Sequence, residues 1–178
     1  PGNQASPWRT IERVNQADLR PGDRVLFEGG KTFPGTVSLT AQDSGLPAEQ
    51  VVITSYAEGR AVIDAGEGTG LQADGCDFLV VRDIDFVGSG RKNGNNGYGV
   101  SLSHSTGSVI DRVAVSGFCI AGVSARGVHG LRITRVHAHD NGSAGISIGD
   151  APWSPDVYIG HCVAENNPGD PLNLTNHS

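Results

Sequence analysis

Apolar and polar residues alternate along short stretches of this chain, and Gly, Asn, Asp and Ser separate the stretches. The clearest examples place two apolar residues two positions apart: Val100 and Leu102, Val123 and Ala125, and Ile146 and Ile148. A period of two predicts β-strands with one buried face, and the intervening small and polar residues predict turns.

The alternating stretches belong to a longer repeat. Segments that begin at Gly99, Gly122 and Gly145 are 23 residues apart, and an earlier copy begins at Gly70, 29 residues before Gly99. The longer spacing arises because residues 91–98 are inserted. A unit of this size cannot bury its own apolar face, so successive units must stack. The repeat lacks the L-x-x-L-x-L framework of a leucine-rich repeat and predicts an all-β parallel β-helix.

The residues before the repeat predict a helical cap and the first coils. Ser6 and Pro7 provide an N-cap and a first helical residue, and Trp8, Ile11, Val14 and Ala17 recur on one side of a short helix. Four strands are expected next, at 24–27, 36–39, 51–55 and 61–63. We interpret 1–178 as one domain, with a cap and irregular first coils (1–69), regular coils (70–167) and a loop that leads into a further coil (168–178).

Composition excludes several classes of protein. Of 178 residues, 26 are Gly and 37% are hydrophobic, and the net charge of −6 argues against nucleic-acid binding. No apolar run approaches the roughly 20 residues of a membrane span. The three cysteines, Cys76, Cys119 and Cys162, lack C-x-x-C spacing. We therefore expect the three cysteines to pack as small hydrophobic residues in the core, rather than to form a zinc ribbon or a disulfide framework.

Three segments carry a resemblance to a known family. They are PWRTIERVNQADLRPGDRVLFEGG (7–30), VVITSYA (51–57) and coils that combine G-I-x-I with V-x-I-x-x-V/C-x-A-x-x-N. Together they resemble the secreted right-handed parallel β-helix proteins of the pectate-lyase-like superfamily. The resemblance implies right-handed coils and a secreted or periplasmic location. That family includes polysaccharide lyases, glycoside hydrolases, uronate epimerases and non-catalytic modules, so the resemblance specifies the fold better than the reaction.

Members of that family usually contain more coils than this sequence. We therefore expect a fragment whose apolar column is uncovered at its C-terminal end, where Val157, Ile159 and Cys162 would border a region that needs a cap, further chain or an associating partner.

Alignment of the repeats predicts a polar strip on the outer face of one sheet. The outward positions form three stacks: Gln72/Ser101/Ser124/Ser147, Asp74/Ser103/Arg126/Gly149 and, at the following turn, Gly75/His104/Gly127/Asp150. In the resembled family the substrate groove commonly runs along this sheet, between long loops. The insertions at 89–98 and 168–178 would form the walls of such a groove.

The strip offers a base, a cation and a carboxylate. We assign catalytic roles to His104, Arg126 and Asp74: His104 would remove the C5 proton of a uronate, and Arg126 would neutralise its carboxylate. Substrate contacts are assigned to five residues in or beside the strip: Asp150, Trp153, Arg91, Lys92 and Asn95. Seven basic and three acidic residues between 82 and 135 favour an anionic glycan.

Two alternatives remain open. A non-catalytic carbohydrate-binding or structural β-helix would present the same polar strip. A glycoside hydrolase needs two carboxylates about 5 to 9.5 Å apart, whereas Asp74 and Asp150 would be separated by three coils, about 14 Å. Hydrolysis would therefore require carboxylates from missing coils.

Other clusters are interpreted as structural. His137 and His139, with Asp140 beside them, resemble a metal cluster. The two histidines lack a third ligand at a recognisable spacing, so we expect no metal or other cofactor there. Calcium is a candidate only through Asp74, Asp150 and Asp170, which include no adjacent pair of carboxylates. The exterior stack Asp83/Arg112/Arg135/His161 is predicted to be a structural charge ladder.

Overall fold

The protein is a parallel β-helix in which three sheets surround one apolar column. The structure, a computed structural model, describes residues 6–149 and 156–168. All strand pairs within the sheets are parallel, so the described residues form five complete coils and two strands of a sixth. Among the described residues, no helix has the length and apolar character needed to cross a membrane.

Each coil contributes one strand to each sheet. Sheet 1 contains β1 (Arg24–Glu28), β4 (Val51–Tyr56), β7 (Leu79–Arg82), β10 (Val109–Asp111), β13 (Arg132–Thr134) and β16 (Tyr158–Gly160). Sheet 2 contains β2 (Thr32–Pro34), β5 (Ala61–Gly66), β8 (Ile84–Gly88), β11 (Ala114–Ser116), β14 (His137–His139) and β17 (Val163–Glu165). Sheet 3 contains β3 (Val37–Thr40), β6 (Leu71–Asp74), β9 (Tyr98–Ser103), β12 (Ala121–Arg126) and β15 (Ala144–Gly149).

The predicted stacking register is confirmed. Val123 pairs with Val100 on one side and with Ile146 on the other, and Ala125 pairs in the same way with Leu102 and Ile148. These side chains point into the column, where all but the partly buried Ile148 are buried. Burial of one apolar residue against the like residue of the next coil is the main source of stability in such a solenoid.

The N-terminal part is more regular than the sequence suggested. Strands β1 to β3 already form a complete coil in the same three sheets, including β2, which the sequence pattern did not predict. The helix is shorter than expected: α1 spans Ile11–Asn15, and its N-cap is Thr10 rather than Ser6. Ile11 and Val14 nevertheless bury their side chains in the core and cover the first coil, as predicted.

The corner between sheets 1 and 2 is a sharp bend at one residue in each of the last four described coils. Asp83, Arg112, Arg135 and His161 occupy this position with φ between 52° and 58°. Left-handed backbone costs a non-glycine residue roughly 1–2 kcal/mol. Arg112 forms a bidentate ion pair with Asp83, with N–O distances of 2.5 and 2.7 Å. The predicted charge ladder is therefore present between Asp83 and Arg112, whereas Arg135 pairs with Asp111 outside the ladder.

The column is less covered at the last described strands. Ile159 is 37% exposed, whereas Ile133, its partner in the preceding coil, is fully buried. Val157 and Cys162 are partly buried against the core. Association through this end of the solenoid remains a prediction.

Candidate functional site

The predicted polar strip lies on the outer face of sheet 3. Pairing of the strands places five outward residues side by side in successive coils: Thr40, Asp74, Ser103, Arg126 and Gly149. Alternation along each strand turns these side chains away from the apolar column. Asp74 and Arg126 therefore lie on the same edge of sheet 3. His104, the third residue with a predicted catalytic role, lies at this edge too because it directly follows Ser103.

Asp74 and His104 form a hydrogen-bonded pair across one coil. His104 Nδ1 lies 2.9 Å from Asp74 Oδ1, and Ser103 Oγ donates to the same oxygen at 2.6 Å. The hydrogen bonds from His104 and then Ser103 lower the pKa of Asp74, which keeps it an acceptor. In the neutral imidazole, a proton on Nδ1 leaves the lone pair on Nε2, so the pair orients His104 as a base.

The backbone position of His104 is unusual within the stack. Gly75, His104 and Gly127 occupy the same corner of three successive coils, and all three have left-handed φ, between 52° and 67°. Glycine adopts this conformation freely, whereas histidine does so at an energetic cost. The corner therefore accommodates a strained histidine where its two neighbours are glycines, and it directs that histidine toward Asp74.

Arg126 is the cation of the strip. It is exposed, its backbone accepts a hydrogen bond from the His104 amide, and no ion pair joins it to another of the described residues. Its side chain extends over Gly149 in the next coil. A planar guanidinium in this position can bind a carboxylate through two parallel hydrogen bonds.

The strip is open rather than enclosed. The side chains of Asp74 and His104 are 64% and 68% exposed. A pocket of about 350 Å³ lies elsewhere, near α1, and is lined by Arg9, Thr10, Glu12, Phe33, Pro34 and Gly35. It includes no residue of the strip, and we assign the candidate site by chemistry rather than by concavity. An open strip along the solenoid axis suits an extended polymer better than a small molecule.

The insertion before β9 runs along the opposite edge of sheet 3. Arg91 donates through Nη1 to the backbone oxygen of Asn166 at 2.5 Å, and Lys92 is exposed. The loop therefore reaches from the coil that contains it to the last described coil. Both cations remain candidates for contact with an anionic ligand that lies along the sheet.

Asn95 has a structural position instead of the predicted ligand contact. It is 2% exposed, and its amide donates to the backbone oxygens of Gly66 and Gly68. Its Oδ1 accepts from the amides of Gly97 and Cys119. All of the hydrogen-bonding groups of this side chain are thus used to hold the corner between sheets 2 and 3. Asn95 is therefore not available to a ligand.

Three other predicted residues cannot be placed, because Asp150, Trp153 and Asp170 lie outside the described residues. Ser103, by contrast, received no role from the sequence, although the repeat alignment placed it between Asp74 and Arg126. Its hydroxyl proves to be the second donor to Asp74.

The histidine cluster on sheet 2 is made of two hydrogen-bonded pairs whose imidazole rings contact each other, with the centroids of His137 and His139 4.5 Å apart. His137 Nε2 lies 2.8 Å from Glu165 Oε1, and His139 Nδ1 lies 2.8 Å from Asp140 Oδ2. Within 6–149 and 156–168, no group of three or more His, Cys, Asp or Glu side chains is arranged to hold a metal ion. We interpret these residues as paired exterior side chains.

The cysteines differ in their surroundings. Cys76 is fully buried, as expected, and burial, together with the charges of Asp43 and Asp77, raises the pKa of its thiol to about 12. Cys119 and Cys162 are only partly buried, which corrects the expectation that all three are core residues.

Solved structures provide an independent comparison of the fold. The chain is similar to an alginate lyase from Paenibacillus sp. str. FPU-7, with a TM-score of 0.69 and 18% identity over 86% of this chain and 55% of the lyase. It is also similar to a GH136 lacto-N-biosidase from Eubacterium ramulus, with a TM-score of 0.54 and 15% identity over 82% of this chain and 40% of that protein. The chain therefore spans about half the length of the lyase it matches. Likenesses at this identity support the fold alone.

Sequence comparisons complete the assignment. No curated protein matches the chain. The family described as "Right handed beta helix region" matches residues 49–178, which is more than half of the sequence. This match also gives the predicted handedness of the coils. The chain belongs to the right-handed β-helix family.

Proposed function

We propose that the protein binds an acidic polysaccharide along the outer face of sheet 3 and acts on it by β-elimination at a uronate residue. The observation that carries the proposal is the Asp74–His104 pair, which leaves Nε2 of His104 without a hydrogen-bond partner among the described residues. His104 stands one residue beyond the strand position that pairs with Arg126. A base and a cation are the two groups that removal of a proton beside a carboxylate requires.

The proposed roles follow from the geometry. Arg126 neutralises the uronate carboxylate, which makes the adjacent C5–H bond more acidic. His104 Nε2 accepts the C5 proton, and Asp74 orients the imidazole through its bond to Nδ1. The electron pair of the C5–H bond forms the C4–C5 double bond, and the glycosidic oxygen on C4 leaves with a proton from solvent. Arg91 and Lys92 attract the polymer to the other edge of the sheet.

Two further facts support an anionic polysaccharide. The strip is a long, open surface, and its only cation at an outward position of sheet 3, within the described residues, is Arg126. The solved structures of similar fold include one of an alginate lyase and one of a lacto-N-biosidase, both named for action on carbohydrates. A secreted or periplasmic location accords with such a substrate.

Non-catalytic binding is the second candidate function, and solvent exposure favours it. A base that is 68% exposed lies in water, where electrostatic interactions are weaker than in an enclosed site. Binding to Arg126 requires no such enclosure. The same strip would then hold the polymer without cleaving it.

A screen of uronate polymers separates these functions. Elimination produces an unsaturated uronate that absorbs in the ultraviolet, whereas hydrolysis releases reducing ends without that absorbance. We expect ultraviolet absorbance with the wild-type protein and a loss of at least about a hundredfold in rate with His104→Ala. Binding without either product would support the non-catalytic function, and reducing ends without absorbance would contradict elimination.

A further inference from the structure

Gly149 lies directly beside Arg126 in the outward column of the strip. The two residues are strand partners in β15 and β12. A Cβ atom built on Gly149 would lie 3.0 Å from Cγ of Arg126 and 3.5 Å from both Cδ and Nε. The stem of Arg126 therefore occupies the space that a side chain at position 149 would fill. We call this space the Gly149 slot.

The Gly149 slot directs Arg126 away from the acidic end of the strip. On its other side Arg126 is paired with Ser103, and Asp74 lies one coil further on. Two coils correspond to about 10 Å along the sheet, a distance that an extended arginine and an aspartate can together span. Within the described residues, no ion pair connects Asp74 with Arg126.

We propose that Gly149 is a positioning residue that keeps Arg126 apart from Asp74, so that Arg126 stays available for a ligand carboxylate while Asp74 stays bonded to His104. This inference rests on the proposed function. If a side chain at position 149 filled the slot in place of the Arg126 stem, the guanidinium would be displaced toward Ser103 and Asp74. The two charges would then pair with each other, and Asp74 would exchange its bond with His104 for one with Arg126.

The absence of a side chain at position 149 also determines where a ligand can lie. A carboxylate bound by the guanidinium of Arg126 would lie beyond the Gly149 slot, because the stem of Arg126 fills the slot itself. The expected ligand group is thus a planar carboxylate on an extended chain that crosses from β9 to β15.

A graded series of substitutions tests this role. The backbone of Gly149 is outside the left-handed region, so larger residues can adopt it without strain. We expect Gly149→Ala, whose Cβ requires Arg126 to move by a few tenths of an ångström, to weaken affinity for a uronate oligomer by less than about threefold, and Gly149→Val to weaken it on the order of tenfold. The matched control is Ser116→Val, which adds the same side chain to an outward position of β11 and should leave affinity unchanged.

A double-mutant cycle separates positioning from a structural effect. If Gly149 acts through Arg126, then Gly149→Val should have no further effect on affinity in an Arg126→Ala background. An equal loss in both backgrounds would overturn the inference, because Gly149 would then act independently of Arg126.

The same measurements distinguish failure of the inference from failure of the proposed function. If Arg126→Ala weakens binding but Gly149→Val does not, the inference is wrong and the proposed function stands. If the wild-type protein binds no uronate oligomer, or if Arg126→Ala leaves affinity unchanged, both are wrong.

Discussion

Gly99 lies so close to Gly122 that a Cβ atom on Gly99 would sit 2.5 Å from the carbonyl oxygen of Gly122. The same contact recurs between Gly70 and Gly99, also at 2.5 Å, and between Gly122 and Gly145, at 2.8 Å. Real Cβ atoms do not approach backbone oxygens this closely. The glycine that begins each repeat is therefore required by the close approach of successive coils at the start of sheet 3.

Gly99→Ala should therefore destabilise the fold. The added methyl group would meet both the Gly122 carbonyl oxygen and the side chain of Val115, at 2.5 and 2.9 Å. Overpacking of this kind costs about 1–3 kcal/mol. Urea denaturation of Gly99→Ala measures the cost, and Ser101→Ala, on the outer face of the same strand, is the control. Equal stability of the two variants would show that the coils separate easily at this corner.

The register of the coils could be predicted because it depends on a repeat that is visible in the amino-acid sequence. Val100, Val123 and Ile146 are 23 residues apart and become direct neighbours. The edge of the strip that holds Asp74, Ser103 and Arg126 followed from the same alignment. Strand β2 was missed because Thr32–Pro34 is only three residues long, lies in the first coil and ends in proline.

Contacts that depend on side-chain direction were harder to predict. Asp111 receives hydrogen bonds from Arg112, Thr134 and Arg135, each at 2.6 Å, although it stands next to the predicted ladder in sequence rather than within it. Asn95 was assigned to a ligand because it lies in a polar insertion. The insertion obscures its equivalence to Asn141, which binds backbone at the same corner.

Asn95→Ala should lower stability and leave ligand binding intact. The substitution would remove the bonds that Asn95 makes to the oxygen of Gly68 and to the amides of Gly97 and Cys119, and the oxygen of Gly66 would keep only its bond from the Ser89 amide. Such a loss in a buried position costs about 1–3 kcal/mol. The measurement is the melting temperature together with affinity for a uronate oligomer. If the variant were as stable as the wild-type protein but bound the oligomer more weakly, Asn95 would contact the ligand, as the sequence predicted.

Stability should fall in acid because two carboxylates that pair with arginine, Asp83 in the charge ladder and Asp111 beside it, become protonated. A hydrogen bond from Arg112 lowers the pKa of Asp83. Burial opposes the shift at Asp111, but bonds from Arg135 and Thr134 and the charge of Arg112 lower its pKa overall. A carboxylate with a lowered folded-state pKa contributes stability that is present above its unfolded pKa, about 4, and lost as the pH falls through the folded value.

Urea midpoints measured between neutral pH and pH 2 test this dependence. We expect the urea midpoint of the wild-type protein to decrease once the pH is below about 4. Asp111→Asn should lower the stability at neutral pH and should also reduce the slope of stability against pH in acid. An unchanged slope in Asp111→Asn would exclude Asp111 as a source of the acid sensitivity.

His104→Gly should abolish activity without loss of stability. Relief of left-handed strain favours the variant by about 1–2 kcal/mol. The flexibility of glycine costs about 0.5–1 kcal/mol, and an exposed pair such as the one with Asp74 contributes little to stability. Melting temperature and elimination rate are the two measurements. Destabilisation by more than about 2 kcal/mol would identify His104 as a structural residue of the corner.

The most direct test of the account is the affinity of Arg126→Lys for a uronate oligomer, measured together with its melting temperature. Lysine retains the charge but cannot form two parallel hydrogen bonds with a carboxylate. We predict affinity about tenfold weaker than that of the wild-type protein and an unchanged melting temperature, because the Arg126 side chain points away from the apolar column. Unchanged affinity, or a large loss of stability, would contradict the assignment of Arg126 as the carboxylate-binding residue of the strip.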